Sequence, residues 1–261
     1  MRLVYIKYCF IICCLLLFSC KKVINVNLNS VAPQIVIEGN VTNAYAPYQV
    51  QITQTVNFSA SNVFPAVSGA LVKITDNTAA ITDTLKETSA GVYTTNIIKG
   101  IPGHTYQLYV VALGQTYTAI STMPQPVLLD SVSFQRSNLF GKTNINPTVN
   151  FQDPAGITNY YIFREYIKGK INTYAFDDRL SDGKYISLQL YTDSLFVGDT
   201  ANIQMNCVDK NIYNYFNALG QNLTGGNNQP ISPSNPVSNI SNNALGYFNA
   251  GTIIYKKRVV Q

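Results

Sequence analysis

The most reactive group set up by the order of residues is the thiol of Cys20. It follows Leu17-Phe18-Ser19, behind an unbroken apolar run from Cys9 to Phe18 and a basic start carrying Arg2 and Lys7. A basic stretch, a short apolar run and a small residue before the cut form an export signal. A run this short does not cross about 30 Å of hydrocarbon, which takes about 20 residues. A cysteine directly after the cut points to acylation, because a thiolate is the nucleophile that accepts the lipid. Each buried methylene of a long acyl chain such as palmitate contributes about 0.8 kcal/mol, and stable anchoring takes more than one chain. The expectation is a cleaved signal over residues 1–19, lipidation of Cys20, a tether over 20–33, and a membrane partner reached through that lipid.

Other reactive side chains are sparse. Once the leader is removed, Cys20 and Cys207 are the cysteines left, so a lipidated Cys20 excludes an intramolecular disulfide. His104 is the sole histidine. It has no partner at ligand spacing for zinc, and it follows Pro102-Gly103 as a turn residue. Cys207 alternates with Met205 and reads as a small buried hydrophobe. No Gly-x-Ser-x-Gly elbow occurs. The densest acidic stretch is Asp177-Asp178-Arg179-Leu180-Ser181-Asp182-Gly183. Its oxygens suit calcium, but it lacks the spacing and the late glutamate of an EF-hand loop, and it reads as a solvated turn. Glutamate occurs only as Glu38, Glu87 and Glu165, which gives little for paired-carboxylate hydrolysis. Tyr160, Tyr161, Tyr213 and Tyr215 could form a ligand platform, but strand tyrosines normally pack with one wet end. The expectation is no catalytic residue, no metal and no cofactor.

One surface pattern recurs. Asp83-Thr84-Leu85, Asp130-Ser131-Val132, Asp193-Ser194-Leu195 and Asp199-Thr200-Ala201 each resemble the Asp-Ser/Thr-aliphatic motif that is O-glycosylated in Bacteroidota periplasms. Thr84, Ser131, Ser194 and Thr200 are therefore the candidate glycan acceptors. The competing reading is that such dipeptides simply begin strands.

The elements that must carry these residues are strands. Segment 34–42 is a strong strand run, and segment 48–58 alternates apolar and polar residues at period two, with Val50, Ile52 and Val56 inward. Segments 70–76, 81–88, 92–96, 105–113 and 116–123 follow, punctuated by Gly91, Gly100, Pro102-Gly103 and Gly114. Short strands at this spacing predict an immunoglobulin-like or transthyretin-like sandwich over 34–123. Met123-Pro124-Gln125-Pro126 stiffens the backbone and opens a linker over 124–129. A second β-rich domain over 130–261 is predicted from strands at 130–136, 148–152, 159–168, 185–191, 201–208 and 246–260. The period changes once, at 209–219, where Ile212, Tyr215, Phe216 and Leu219 share a helical face with Asp209 as N-cap and Gly220 as C-cap. The stretch 221–243 is long, aperiodic and rich in Asn, Pro, Gly and Ser, so it reads as a functional or mobile loop.

Charge excludes a further class. Part of the formal +5 belongs to the leader, and the remaining positives are scattered apart from Lys21-Lys22 and Lys256-Lys257-Arg258. A nucleic-acid surface needs a dense basic stripe, so none is expected. Lys21-Lys22, beside the lipid, suits phosphate headgroups.

These marks together resemble a family. The lipid cysteine is followed by Val23-Ile24-Asn25-Val26-Asn27-Leu28, then by Ile35-Val36-Ile37-Glu38-Gly39 and by the strand from Gly69 to Asp76. Gly91-Val92-Tyr93, Gly103-His104-Thr105-Tyr106 and Ala244-Leu245-Gly246-Tyr247-Phe248 complete the order. In this it resembles a Bacteroidota lipoprotein family of unknown function, number 4249 of the domain-of-unknown-function series. The resemblance implies an outer-membrane lipoprotein, periplasmic or surface-facing, that serves as a non-enzymatic accessory of a TonB-dependent transporter. It implies no catalytic residues. The alternative class is a glycan- or peptide-binding surface lipoprotein, and a hydrolase is a minor third.

Overall fold

A computed structural model describes residues 32–44, 46–57, 60–61, 63–139, 142–191, 195–224 and 235–261. The expected signal peptide, Cys20, most of the tether and Ser194 lie outside the described residues. The elements below belong to one unit, Pro33–Val56 with Ala60–Gln261.

Alternation builds the first sandwich. In β1 (Ile35–Thr42), Ile35, Ile37, Gly39 and Val41 turn inward, and in β2 (Gln49–Gln54) Val50 and Ile52 do the same. Two sheets face each other around these residues. One contains β1, β2, β6 (Val92–Thr94) and β5 (Lys86–Ser89). The other runs β4-β3-β7-β8, from Ile81–Thr84, Leu71–Asp76, Thr105–Ala112 and Gln115–Thr122. Ile37, Val50, Ile52, Val72, Ile74, Tyr93, Tyr106, Leu108 and Val110 fill the space between. The predicted single strand over 81–88 is two strands in different sheets. Leu85 buries its side chain and donates its N–H to Val72 O (2.9 Å), so the chain turns the corner of the sandwich there.

The second sandwich sets β13-β10-β9 (Tyr185–Gln189, Lys142–Gln152, Ser131–Leu139) against β12, β11 and β14 (Lys170–Asp177, Tyr160–Ile167, Thr200–Cys207). Its core holds Val149, Phe151, Tyr161, Phe163, Ile203 and Met205. Phe151 meets Tyr161 edge-on at 5.0 Å between ring centres. The sequence reading lacks β12. This strand follows β11 through a two-residue turn, Lys168-Gly169, whose φ angles of 49° and 77° are those of a tight hairpin.

The last strand, β15 (Leu245–Val259), belongs to both sandwiches. It runs parallel to β1 and antiparallel to β14, which makes one sheet in the order β12-β11-β14-β15-β1-β2-β6-β5. Phe248 and Ala250 enter the first core, while Ile254 packs on the second. The parallel join needs Gly246, at φ +94°, because a Cβ there would stand 2.1 Å from Ile37 O. The segment 124–129 thus passes between two cores while the sheet continues through both. Val127 and Leu129 are themselves buried in the second core.

The one helix among the described residues, α1 (Lys210–Thr224), covers the outer face of this sheet. Ile212 and Tyr213 pack there against Ile162, Val208 and Tyr247. Asp209 is the N-cap as predicted: its Oδ1 accepts the N–H groups of Asn211 (2.9 Å) and Ile212 (3.1 Å). Gly220 is not the C-cap, since the helix continues to Thr224. The predicted loop over 221–243 is correspondingly shorter. Residues 225–234 lie outside the described residues, and the far end is tied down. Asn239 exchanges hydrogen bonds with the main chain of Phe248 (2.7 and 2.9 Å), and Ile240 is buried in the first core.

Candidate functional site

The single histidine and the buried thiol serve the two sandwiches separately. His104 Nδ1 lies 2.8 Å from Asp76 Oδ2, while Asp76 Oδ1 accepts the N–H groups of Thr78 and Ala79, each at 3.0 Å. The pair fastens the turn after β3 to the start of β7. Cys207 sits on the inner face of β14 in the second core, and burial pushes its thiol up from the usual range. The tyrosines considered as a platform pack instead. Tyr160 lies 5.2 Å from Tyr213, Tyr215 lies 5.2 Å from Tyr247, and Tyr161 is in the second core. Burial raises Tyr213 and Tyr215 to about 12 each.

The described glycan-acceptor candidates stand at strand ends. Thr84 closes β4 and is exposed; Ser131 opens β9 and Thr200 opens β14, each half-buried. The Ser131 hydroxyl accepts from Asn150 Nδ2 (3.2 Å). Two of the motif aspartates are engaged elsewhere. Asp83 Oδ2 accepts three main-chain N–H groups, from Asn96 (2.7 Å), Ile97 (2.7 Å) and Ile98 (3.1 Å). Asp199 pairs with Lys168 (2.7 Å) and accepts the Phe196 N–H (2.7 Å), and these contacts hold its carboxyl below the usual range.

The strongest convergence of chemistry is acidic. Asp153, Asp178 and Asp182 each place a carboxylate oxygen within 4.8 Å of the other two. Four strand ends assemble them. Asp153 leaves β10, Asp178 leaves β12, Asp182 lies in the turn before β13, and Asn159 precedes β11. Main-chain bonds fix the register: Asp153 N–H donates to Lys184 O (3.0 Å) and Asn159 N–H to Asp178 Oδ2 (2.8 Å). Gly156 N–H donates to Asp182 Oδ1 (2.8 Å) and Gly183 N–H to Asp153 Oδ2 (3.0 Å). Tyr161, reaching out of the second core, donates its hydroxyl to Asp153 Oδ1 at 2.5 Å.

The 177–183 stretch is only in part the solvated turn expected from the sequence: Arg179, Leu180 and Asp182 are exposed, but Asp178 is not. Asp153 and Asp178 are each only 1% exposed, and Asp182 alone faces water. Burial pushes the Asp178 carboxyl up, and the neighbouring Asp153 and Asp182 add to the shift. Among the described residues no lysine or arginine forms an ion pair with any of the three; Arg179 pairs with Asp177 instead (2.8 Å). Asn159 Oδ1 and Ser181 Oγ are sealed from solvent and make no hydrogen bond. The sequence reading missed Asp153, because Asp153-Pro154-Ala155-Gly156 shows only a turn. Its partners stand 25 or more residues away, brought close by the β11–β12 hairpin and by the pairing of β13 back onto β10.

A family model described as Domain of unknown function (DUF4249) matches residues 21–256. No curated protein matches the chain. Among solved structures the chain is similar to the chicken interferon gamma receptor alpha chain, at 10% identity and a TM-score of 0.21, over 68% of this chain and 90% of that one. A likeness at that level carries no argument.

Proposed function

The chain belongs to this family of unknown function, DUF4249, and from that premise we propose that it is a lipid-anchored cell-envelope protein of Bacteroidota. Its role in this reading is that of a non-enzymatic accessory to a TonB-dependent transporter of the outer membrane. The observation that carries the reading is the position of Cys20. The matched region begins at residue 21, directly after the cysteine that ends a basic, then apolar leader. Acylation there would leave the whole matched body on one short tether, with Lys21 and Lys22 beside lipid phosphates.

The use of the reactive side chains supports a binding role over a catalytic one. His104 holds a turn through Asp76, Cys207 and Tyr161 fill a core, and Tyr160, Tyr213 and Tyr215 pack where α1 meets the sheet. A rigid sheet with loops at its ends suits presentation of a docking surface. Glycan on Thr84, Ser131, Ser194 or Thr200 belongs to the same reading, since such modification would follow export.

Crosslinking in intact cells, followed by affinity capture of the tagged full chain from detergent-solubilised envelope, tests the partner. The expected result is recovery of a TonB-dependent transporter, lost when Cys20→Ser frees the body from the membrane. Capture without a transporter contradicts the accessory role.

A further inference from the structure

The sheet that joins the two sandwiches has an open edge on its last strand. β1 lies beside β15 from the pair Val36–Leu245 to the pair Thr42–Gly251, and there it ends. β15 runs on to Val259 with β14 along its other side. Alternation along a strand fixes which main-chain groups turn to which side. Val260 N–H donates to Asp199 O at 2.8 Å, on the β14 side. Ile253 N–H donates to Asn43 Oδ1 at 2.6 Å, on the β1 side, so Asn43 caps the row just past the end of β1. Tyr255, Lys257 and Val259 turn their N–H and C=O groups the way of Ile253, and among the described residues no hydrogen bond reaches them there. The stretch is exposed throughout, Tyr255 at 53% and Val259 at 48%. Such a row is a template for another strand, and its charge decides which. Lys256, Lys257 and Arg258 are consecutive, exposed and, among the described residues, without an ion pair.

We propose that residues 253–259 of β15 take an extended acidic segment of a partner protein, which adds a strand to the sheet in line with β1. Main-chain bonds to Tyr255, Lys257 and Val259 hold it, and acidic side chains opposite residues 256–258 select it. Successive side chains point to opposite faces, so Lys257 shares the face of Tyr255 while Lys256 and Arg258 lie on the other. Paired strands match side chains face by face, so three consecutive acidic residues meet all three cations. The same charges disfavour a second copy of this chain. Antiparallel self-pairing centred on Lys257 would set Lys257 against Lys257 and Lys256 against Arg258. A lipid phosphate surface fits less well than a peptide. Phosphate oxygens answer the cations and the N–H groups but offer no donor to the outward carbonyls of Tyr255, Lys257 and Val259. The inference is independent of the anchoring reading, since it rests on the free edge of one strand.

The test uses the full chain in detergent and a fluorescein-labelled peptide carrying three consecutive glutamates flanked by valines, read by anisotropy. The expected result is saturable binding that weakens about ten-fold or more in Lys257→Glu, with the far-UV circular dichroism of that variant unchanged. A peptide with lysines in place of the glutamates should not bind. A strand bonds its neighbour through alternate residues, so two peptides N-methylated on the alternate sets should differ, one binding and one not. Absence of saturable binding to the acidic peptide overturns the site. So does binding that Lys257→Glu leaves unchanged. Equal binding of the two N-methylated peptides reduces the contact to charge attraction and overturns strand addition. Equal binding of the lysine peptide overturns the acidic preference. Binding to phosphatidylglycerol vesicles that Lys257→Glu weakens, with none to the peptide, assigns the edge to lipid and overturns the proposal.

Discussion

Asp83 shows how one residue type carries chemistry that composition hides. In sequence it begins an Asp-Thr-Leu motif that points to glycan on Thr84. In the fold its carboxylate is 3% exposed and gathers three main-chain N–H groups at the end of β6. Removing it leaves all three donors without their acceptor, that of Ile98 in a buried setting. Asp83→Ala should therefore cost about 3 kcal/mol or more in urea denaturation, while Thr84→Ala, on the exposed neighbour, should stay within about 0.5 kcal/mol. An equal effect of the two would mean that Asp83 holds nothing. The same contrast explains which residues of the acidic cluster could be read in advance. Asp178 and Asp182 lie in one dense run, so their type and spacing are visible. Asp153 is a lone aspartate before a proline, and only the pairing of β10 with β13 brings it to them. His104 and Asp76 are 28 residues apart and are likewise joined by the pairing of β3 with β7.

At the scale of elements, strands with one buried face are plain in the sequence. In β1, β2 and β7 every second side chain is inside, so the alternation survives without structural knowledge. β12 is not legible, because it lies at the sheet edge with little full burial on either face. Ile171 points to solvent while Tyr174 and Phe176 only partly enter the core. Its best signal was the Lys168-Gly169 turn. The helix start was legible from Asp209, whose second oxygen also accepts the Ser121 hydroxyl at 2.5 Å and ties α1 to β8. Its end was not, because the helix continues through Gly220 to Thr224, where an added Cβ at Gly220 would meet nothing within 4 Å. The two glycines separate these cases. Gly246→Ala should destabilise by about 3 kcal/mol or more, since its Cβ would overlap Ile37 O in the β1–β15 join. Gly220→Ala should stabilise by about 0.5–1 kcal/mol through helix propensity alone. Thermal unfolding of both variants checks the pair, and a tolerated alanine at 246 would contradict the parallel register.

At the scale of the whole molecule, the least legible feature is the union of first and last strands. β1 and β15 are some 210 residues apart, and no local pattern announces that they lie side by side. Buried residues before the 124–129 segment lie in the first core and most of those after it in the second, but Ile240, Ala244, Phe248 and Ala250 return to the first. A body built this way offers two sandwiches on a continuous sheet, with its densest unpaired charge at one end of the second. What such a scaffold does depends on where it is held, and the proposal for that rests on Cys20. Mass spectrometry of the protein purified from its native envelope, intact and as N-terminal peptide, is the most direct measurement. The account predicts a chain beginning at Cys20 with a diacylglyceryl thioether on its sulfur, and added hexose mass on at least one of the peptides holding Thr84, Ser131, Ser194 or Thr200. A chain that begins elsewhere, or an unmodified Cys20, would contradict it.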